Sequence, residues 1–189
     1  MYPTQKAAAL PAPFKEIGGK EIPQLIQNQQ QDESIPATSL IQRGDYTELV
    51  GTTGYVNSEP FELGDFIGKK VILVSFMTYS CINCQRTMPL LNKLYDTYRE
   101  NGLVVVGIHT PEFAFEHNID NVRRELNEQG VRFPVVLDNN YSTWRAYNNS
   151  YWPARYLINL EGNVSYYHAG EGAYIETVSK IEEALGISQ

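Results

Sequence analysis

The sequence has little cysteine, no long apolar run and no excess of positive charge. Only two of its 189 residues are cysteine, which excludes the framework of several disulfides that small secreted domains use in place of a large core. No apolar run approaches the ~20 residues of a membrane-spanning helix, so we expect a chain that does not itself span a membrane. The formal net charge of -7 argues against nucleic acid as a partner, because phosphates bind lysine and arginine.

Residues 1–45 differ in composition from the rest of the chain. They contain five of the ten prolines and a polar tract over residues 27–33, with few large apolar side chains. This composition predicts an extended arm or linker with one short helix near residues 24–31, followed by a single domain over residues 46–189. No signal peptide is visible, because the apolar stretch before Pro11 is too short for one.

The domain alternates apolar strands with amphipathic helices. Continuous apolar runs predict strands buried on both faces of a sheet at residues 71–76 and 103–108, and a shorter strand at residues 135–137. A helix is predicted after each of the first two strands, and a last amphipathic helix ends the chain. The second helix is indicated by apolar residues at helical spacing, namely Phe115, Ile119, Val122 and Leu126.

Turn residues predict two β-hairpins. The first covers residues 52–63 with its turn at Asn57-Ser58, and the second turns at Glu161-Gly162-Asn163. From residue 71 the order is β-α-β-α-β-β-β-α. Strand–helix–strand crossovers imply a parallel portion and the late hairpin adds antiparallel strands, so the pattern predicts an α/β fold with a mixed sheet.

The two cysteines, Cys81 and Cys84, lie where the first buried strand gives way to the first helix. A helix N-terminus presents unpaired N–H groups and a partial positive charge, which favour a thiolate over a thiol. The pKa of a free cysteine is about 8.5, and such settings lower it to roughly 3.5–7.5. Because the thiolate is the nucleophile, one sulfur is predicted to be reactive near neutral pH.

A Cys-x-x-Cys pair in this position resembles the thioredoxin superfamily. Pro89 stands where thioredoxins kink the helix that carries the motif, and Trp152-Pro153 stands where they have a cis-proline. The helix inserted after the second strand resembles the TlpA-like and redoxin branches. Over residues 46–189 the chain looks most like the thioredoxin-like domain of DipZ-type proteins, although Met77 stands where those domains have tryptophan. The segments that carry this likeness are residues 78–86, 109–113, 137–141, 151–154 and 170–172.

The resemblance implies a thioredoxin-like fold, with a central mixed sheet flanked by helices, an N-terminal β-hairpin and an extra helix after the second core strand. It also implies a thiol–disulfide oxidoreductase whose redox group is the Cys81-Cys84 disulfide, with no other cofactor and no metal. Cys81, at the exposed helix start, is expected to attack a partner disulfide, and Cys84 to resolve the mixed disulfide. Pro153 is expected to be cis and to face the pair.

Further residues are candidates for roles around the cysteines. Those expected to contact substrate are Tyr79, Ser80, Ile82, Asn83 and Trp152. Glu112, which follows the second strand, is a candidate acid–base partner for Cys84, and the alternative is a surface glutamate that caps the next helix. Thr87 stands where cytochrome-maturation relatives carry glutamate, which argues against that specialised role.

The resemblance also implies partners and a location. We expect protein thiol and disulfide substrates, a membrane electron donor of the CcdA type, a monomeric chain and a site of action outside the cytoplasm. Two other functions stay open. A thiol peroxidase is suggested by Thr78-x-x-Cys81, but Val74 stands where the peroxiredoxin signature has proline. A copper-delivery module of the Sco type is the other, but those proteins use a C-x-x-x-C pair and a histidine near the position of Tyr151.

Overall fold

The computed structural model describes residues 16–17, 20–21 and 43–187. Most of the predicted arm over residues 1–45, including the helix expected near residues 24–31, lies outside the described residues. Within that region, strands β1 (Glu16–Ile17) and β2 (Lys20–Glu21) pair antiparallel with each other.

Within the part of the chain that the structure describes, seven strands form the main sheet. They are β3 (Arg43–Asp45), β4 (Gly54–Val56), β5 (Val71–Met77), β6 (Leu103–His109), β7 (Val135–Leu137), β8 (Ala154–Ile158) and β9 (Asn163–Ala169). Their spatial order is β3-β9-β8-β5-β6-β7-β4. The central β5, β6 and β7 run parallel, and the other neighbours pair antiparallel. The mixed sheet predicted from the element order is therefore confirmed.

The described residues contain four α-helices and three short 3-10 turns. The helices are α1 (Ile82–Tyr98), α2 (Ile119–Glu128), α3 (Ser142–Ala146) and α4 (Tyr174–Leu185). The 3-10 turns are Leu63–Phe66, Arg99–Asn101 and Ala114–His117. Helix α2 is the extra helix predicted after the second core strand.

The central strand β5 is buried along its whole length because both faces of the sheet are covered. Its residues Leu73 and Met77 pack in one cluster with apolar side chains of α1, α2 and α4. Ile72, Val74 and Phe76 point to the opposite face, where Tyr147 and the segment around Leu63 cover them. This alternation is why the sequence shows an unbroken apolar run at this point.

The predicted hairpin over residues 52–63 is wrong. Strand β4 is instead an edge strand of the main sheet and pairs antiparallel with β7, and residues 57–62 form no strand. Asn57 turns the chain with a φ of 63°, and its Nδ2 donates to the carbonyl oxygens of Val131 at 3.0 Å and Phe133 at 3.2 Å. These contacts hold the turn against the segment leading into β7, and Pro60 lacks the N–H that a returning strand would use.

The second helix begins later than its apolar spacing predicts. Asn118 caps α2, since its side-chain oxygen accepts from the backbone N–H groups of Asp120 at 2.8 Å and Asn121 at 3.3 Å. Phe115 therefore lies in the separate 3-10 turn ahead of the helix. This turn and the start of α1 both follow the carboxyl ends of parallel strands, β6 and β5, so the fold brings them to one edge of the sheet.

Candidate active site

The two cysteines occupy the start of α1 in different environments. Cys81 is the N-cap residue, with extended backbone (φ -68°, ψ 120°), and its side chain is half-buried. Cys84 lies in the first turn and is buried. The structure holds both as free thiols. One sulfur is thus open to a partner while the other lies beneath it.

The thiol pKa values of the pair move in opposite directions. A hydrogen bond from the Cys84 thiol lowers the pKa of Cys81 to about 6, helped by the backbone N–H groups of Asn83 and Cys84 and opposed by burial. The same hydrogen bond and then burial raise the pKa of Cys84 far above its ordinary value. Near neutral pH, Cys81 is therefore a thiolate and Cys84 a thiol.

The loop before β8 faces the reactive sulfur. The Trp152–Pro153 peptide bond is cis, and the Trp152 carbonyl oxygen lies 4.0 Å from Cys81 Sγ. The indole of Trp152 points elsewhere: its Nε1 donates to Thr110 O at 3.1 Å, and its ring packs on Trp144 with centroids 4.3 Å apart. Trp152 thus presents its backbone to the site and its side chain to the interior.

A buried acidic residue, Glu116, lies near the cysteines, four positions after Glu112. Glu112 is exposed, whereas Glu116 has 0% of its surface exposed. One carboxylate oxygen of Glu116 accepts from Ser80 N at 3.3 Å and Ser80 Oγ at 2.6 Å. The other accepts from Glu112 N at 2.6 Å and Phe113 N at 2.9 Å. Glu116 therefore joins the 3-10 turn to the residue that precedes Cys81.

These hydrogen bonds keep the carboxylate of Glu116 ionised. Burial raises its pKa, but hydrogen bonds from Ser80, Thr78 and the turn backbone outweigh that effect and leave the pKa below its ordinary value. Its negative charge contributes to the raised pKa of Cys84. A buried, ionised carboxylate thus lies next to the dithiol.

A neutral histidine completes this buried side of the site. His109 Nε2 lies 3.3 Å from Thr78 Oγ1, and its ring stacks on Tyr79 with centroids 5.6 Å apart. Burial lowers the pKa of His109 to about 4, so the imidazole carries no charge near neutral pH.

A sequence model of the Redoxin family matches residues 30–185. The chain belongs to the Redoxin family. It is 43% identical over 152 residues to protein DipZ of Mycobacterium tuberculosis, an alignment that covers 79% of this chain and 22% of DipZ. It is 28% identical over 123 residues to the thiol-disulfide oxidoreductase YkuV of Bacillus subtilis, which covers 65% of this chain and 82% of YkuV.

Solved structures agree with this assignment. The solution structure of a thioredoxin-like protein in the oxidized form matches with a TM-score of 0.69 and 26% identity, covering 79% of this chain and all of that one (100%). These similarities confirm the predicted relation to the thioredoxin superfamily and to DipZ-type proteins. The chain spans only about a fifth of the length of DipZ, 22%.

The remaining candidate residues of this Redoxin-family site fall into two groups. Ile82 is exposed, and Ser80 and Asn83 are half-buried, so all three border the reactive sulfur at the surface. Tyr79 is buried instead: its hydroxyl donates to Phe115 O at 3.4 Å, and its carbonyl accepts from Gln85 Nε2 at 2.9 Å. The side chain of Tyr79 therefore supports the site from below.

Glu116 is the residue that the sequence analysis missed. It stands three positions after Phe113, and a glutamate at that position of a helical turn commonly accepts from the backbone N–H of the first residue. This capping pattern was the available signal, and it favours Glu116 over Glu112. Across residues 43–187, no three His, Cys, Asp or Glu side chains are grouped as a metal ion would require. None of the described helices is both long and apolar enough to cross a bilayer.

Proposed function

We propose that the chain is a thiol–disulfide oxidoreductase that exchanges electrons with protein partners through Cys81 and Cys84. The observation that carries this proposal is the pairing of a half-buried thiolate at a helix start with a buried thiol one turn below it. The similarity to YkuV, which is named a thiol-disulfide oxidoreductase, supports it. The redox group is the Cys81-Cys84 disulfide, with no other cofactor.

The reaction proceeds in two exchanges when the chain acts as reductant. The Cys81 thiolate attacks one sulfur of a partner disulfide, forms a mixed disulfide and releases the other partner sulfur as a thiolate. Cys84 then loses its proton to solvent or to that thiolate and attacks the sulfur of Cys81. The second partner thiolate leaves, so the partner disulfide has gained two electrons and the chain is oxidised. The reverse sequence oxidises a partner dithiol.

The pKa values explain why Cys84 becomes a nucleophile only after the mixed disulfide has formed. The largest cause of the raised pKa of Cys84 is its hydrogen bond to Cys81. Once the sulfur of Cys81 is bonded to a partner, it carries no negative charge, and that cause disappears. The pKa of Cys84 then falls, so the buried thiol becomes a nucleophile when the mixed disulfide exists.

The surface around Cys81 is where a partner binds. Ser80, Ile82 and Asn83 border the sulfur, and the carbonyl oxygen of Trp152, the residue before the cis Pro153, lies 4.0 Å from it. We assign partner contact to these residues and a supporting role to Tyr79. Action outside the cytoplasm, a CcdA-type membrane donor and a monomeric state are part of the proposal and rest on the likeness to DipZ.

Reduction of insulin disulfides by the pre-reduced protein tests the proposal. The wild type is expected to reduce insulin, Cys81→Ser to be inactive, and Cys84→Ser to accumulate a mixed disulfide through Cys81. Activity of Cys81→Ser equal to the wild type would refute the assignment. Sequencing the proteins that Cys84→Ser traps in cells identifies the partners, and the redox state of those partners in a deletion strain gives the direction of electron flow.

A further inference from the structure

Two aromatic rings are exposed on the inserted turn before α2. Phe113 and Phe115 are 48% and 53% exposed, and their rings stack with centroids 5.5 Å apart and an interplanar angle of 8°. A pair of rings stacked on each other and left open to water is an apolar patch for which this fold alone gives no reason. We call Phe113 and Phe115 the aromatic pair.

The aromatic pair is held in place by the residues around it. Glu116 binds the backbone N–H of Phe113 at 2.9 Å. The carbonyl of Phe115 accepts from Tyr79 Oη at 3.4 Å and from Asn121 Nδ2 at 3.0 Å. The turn is therefore fixed on both sides of the pair, and the exposure of the rings is a property of the folded state.

The turn that carries the aromatic pair is bonded to the residue preceding the reactive cysteine. Ser80, which directly precedes Cys81, is bound by Glu116 at 2.6 Å, and the charge of Glu112 acts on the thiol of Cys81. Four of the seven large apolar side chains that are exposed among the described residues lie in the segments bordering Cys81. These four are Ile82, Phe113, Phe115 and Tyr151.

We propose that the aromatic pair docks an apolar side chain of the polypeptide whose cysteine reacts with Cys81. This inference rests on the proposed oxidoreductase function and names its substrate class: protein disulfides with an aromatic or large aliphatic residue near the reacting cysteine. A small disulfide has no side chain that could contact the rings while its sulfur reacts with Cys81, so the aromatic pair should not affect its reduction. The exposed carboxylate of Glu112 precedes Phe113, so it favours a partner that carries lysine or arginine where the bound polypeptide faces Glu112.

Three disulfide substrates test the docking role. Two are synthetic peptides with one intramolecular disulfide and one lysine, identical except for phenylalanine or serine beside the reacting cysteine, and the third is hydroxyethyl disulfide. The variant is Phe113→Ser combined with Phe115→Ser. The matched control is Leu160→Ser, because Leu160 is also exposed (40%) but lies in the β8–β9 turn, at the other end of β8 from Pro153.

The double variant is expected to lose about tenfold in kcat/KM on the phenylalanine peptide, as for an aromatic contact at an interface. Its rates on the serine peptide and on hydroxyethyl disulfide should stay within about twofold of the wild type, a range typical of surface substitutions. Leu160→Ser should leave all three rates unchanged.

Equal losses on all three substrates, or no loss on the phenylalanine peptide, would overturn the docking role. The outcome also separates the two proposals. If the wild type reduces all three substrates and the double variant matches it, only the docking role fails. If the wild type reduces none of them, the oxidoreductase function fails and the docking role falls with it.

Discussion

Glu116→Gln removes the charge of the buried carboxylate while keeping its shape. Both oxygens of Glu116 face donors: the amide and hydroxyl of Ser80 on one side, and the amides of Glu112 and Phe113 on the other. A glutamine can keep the Glu112 and Phe113 contacts if its NH₂ group faces Ser80. The Ser80 hydroxyl can then rotate and accept, but the Ser80 backbone N–H loses its acceptor.

The expected loss of stability follows from that arrangement. Hydrogen bonds to a charged group contribute about 1.5–3 kcal/mol each, and a buried donor left unsatisfied costs about 1–3 kcal/mol. Because the Ser80 backbone N–H loses its acceptor, we expect Glu116→Gln to lower the free energy of unfolding by about 2 kcal/mol at pH 7. Glu112→Gln is the matched control, because Glu112 is exposed and a surface change of this kind stays within about 0.5 kcal/mol.

The effect of Glu116→Gln depends on pH with a defined sign. The folded state lowers the pKa of Glu116, so its contribution is fully present above the unfolded-state pKa of about 4.3. That contribution is lost as the pH falls through the lower, folded-state pKa. The stability difference between wild type and Glu116→Gln is therefore largest near pH 7 and shrinks in strongly acidic solution.

Urea unfolding at a series of pH values measures this difference. With an m-value of about 2 kcal/mol per molar, a change of 2 kcal/mol moves the midpoint by about 1 M urea. The reasoning is refuted if Glu116→Gln unfolds with the wild type at pH 7, or if Glu112→Gln is destabilised as much. A difference that persists unchanged below the folded-state pKa would also contradict it, since it would not depend on the charge.

Three further predictions concern the dithiol and the core. Cys84→Ala should raise the pKa of Cys81 from about 6 toward its ordinary value, seen as a shift in the pH dependence of iodoacetamide alkylation, because the Cys84 hydrogen bond is the largest cause of the low value. Tyr98→Phe removes the 2.5 Å hydrogen bond from α1 to α4 and should lower unfolding free energy in urea by about 1 kcal/mol. Gly107→Ala would place a methyl group 3.0 Å from the Val135 side chain, and this overpacking should cost about 1–3 kcal/mol in the same assay.

The central strands could be predicted from the sequence because their signal is local. Strands buried on both faces must be apolar at every position, and the runs at residues 71–76 and 103–108 meet that condition. The sequence also identifies Cys81 and Cys84 as the reactive pair, because a Cys-x-x-Cys at a strand–helix junction is recognised without reference to distant residues. Both strands appear within one residue of the predicted ends.

The errors arose where distant contacts decide the structure. The chain does turn at Asn57, as predicted for the hairpin at residues 52–63. The side chain of Asn57, however, bonds to carbonyls 74 and 76 positions away, and β4 pairs with β7 instead of with the following residues. The choice between Glu112 and Glu116 depended likewise on Ser80, 36 positions earlier in the chain. Local spacing describes neither contact, so the turn residues predicted the wrong strand pairing, and the link from Glu116 to Ser80 appears only in the folded structure.

The contact between the two indole rings makes the tryptophan fluorescence of the protein sensitive to the chemical state of Cys81. The chain has only two tryptophans, their rings pack 4.3 Å apart, and the carbonyl of one lies against the reactive sulfur. All tryptophan emission therefore originates beside the site, and a bond formed at Cys81 changes the surroundings of the emitting pair. Intrinsic fluorescence in a series of thiol–disulfide buffers can thus report the reduction potential of the unlabelled protein.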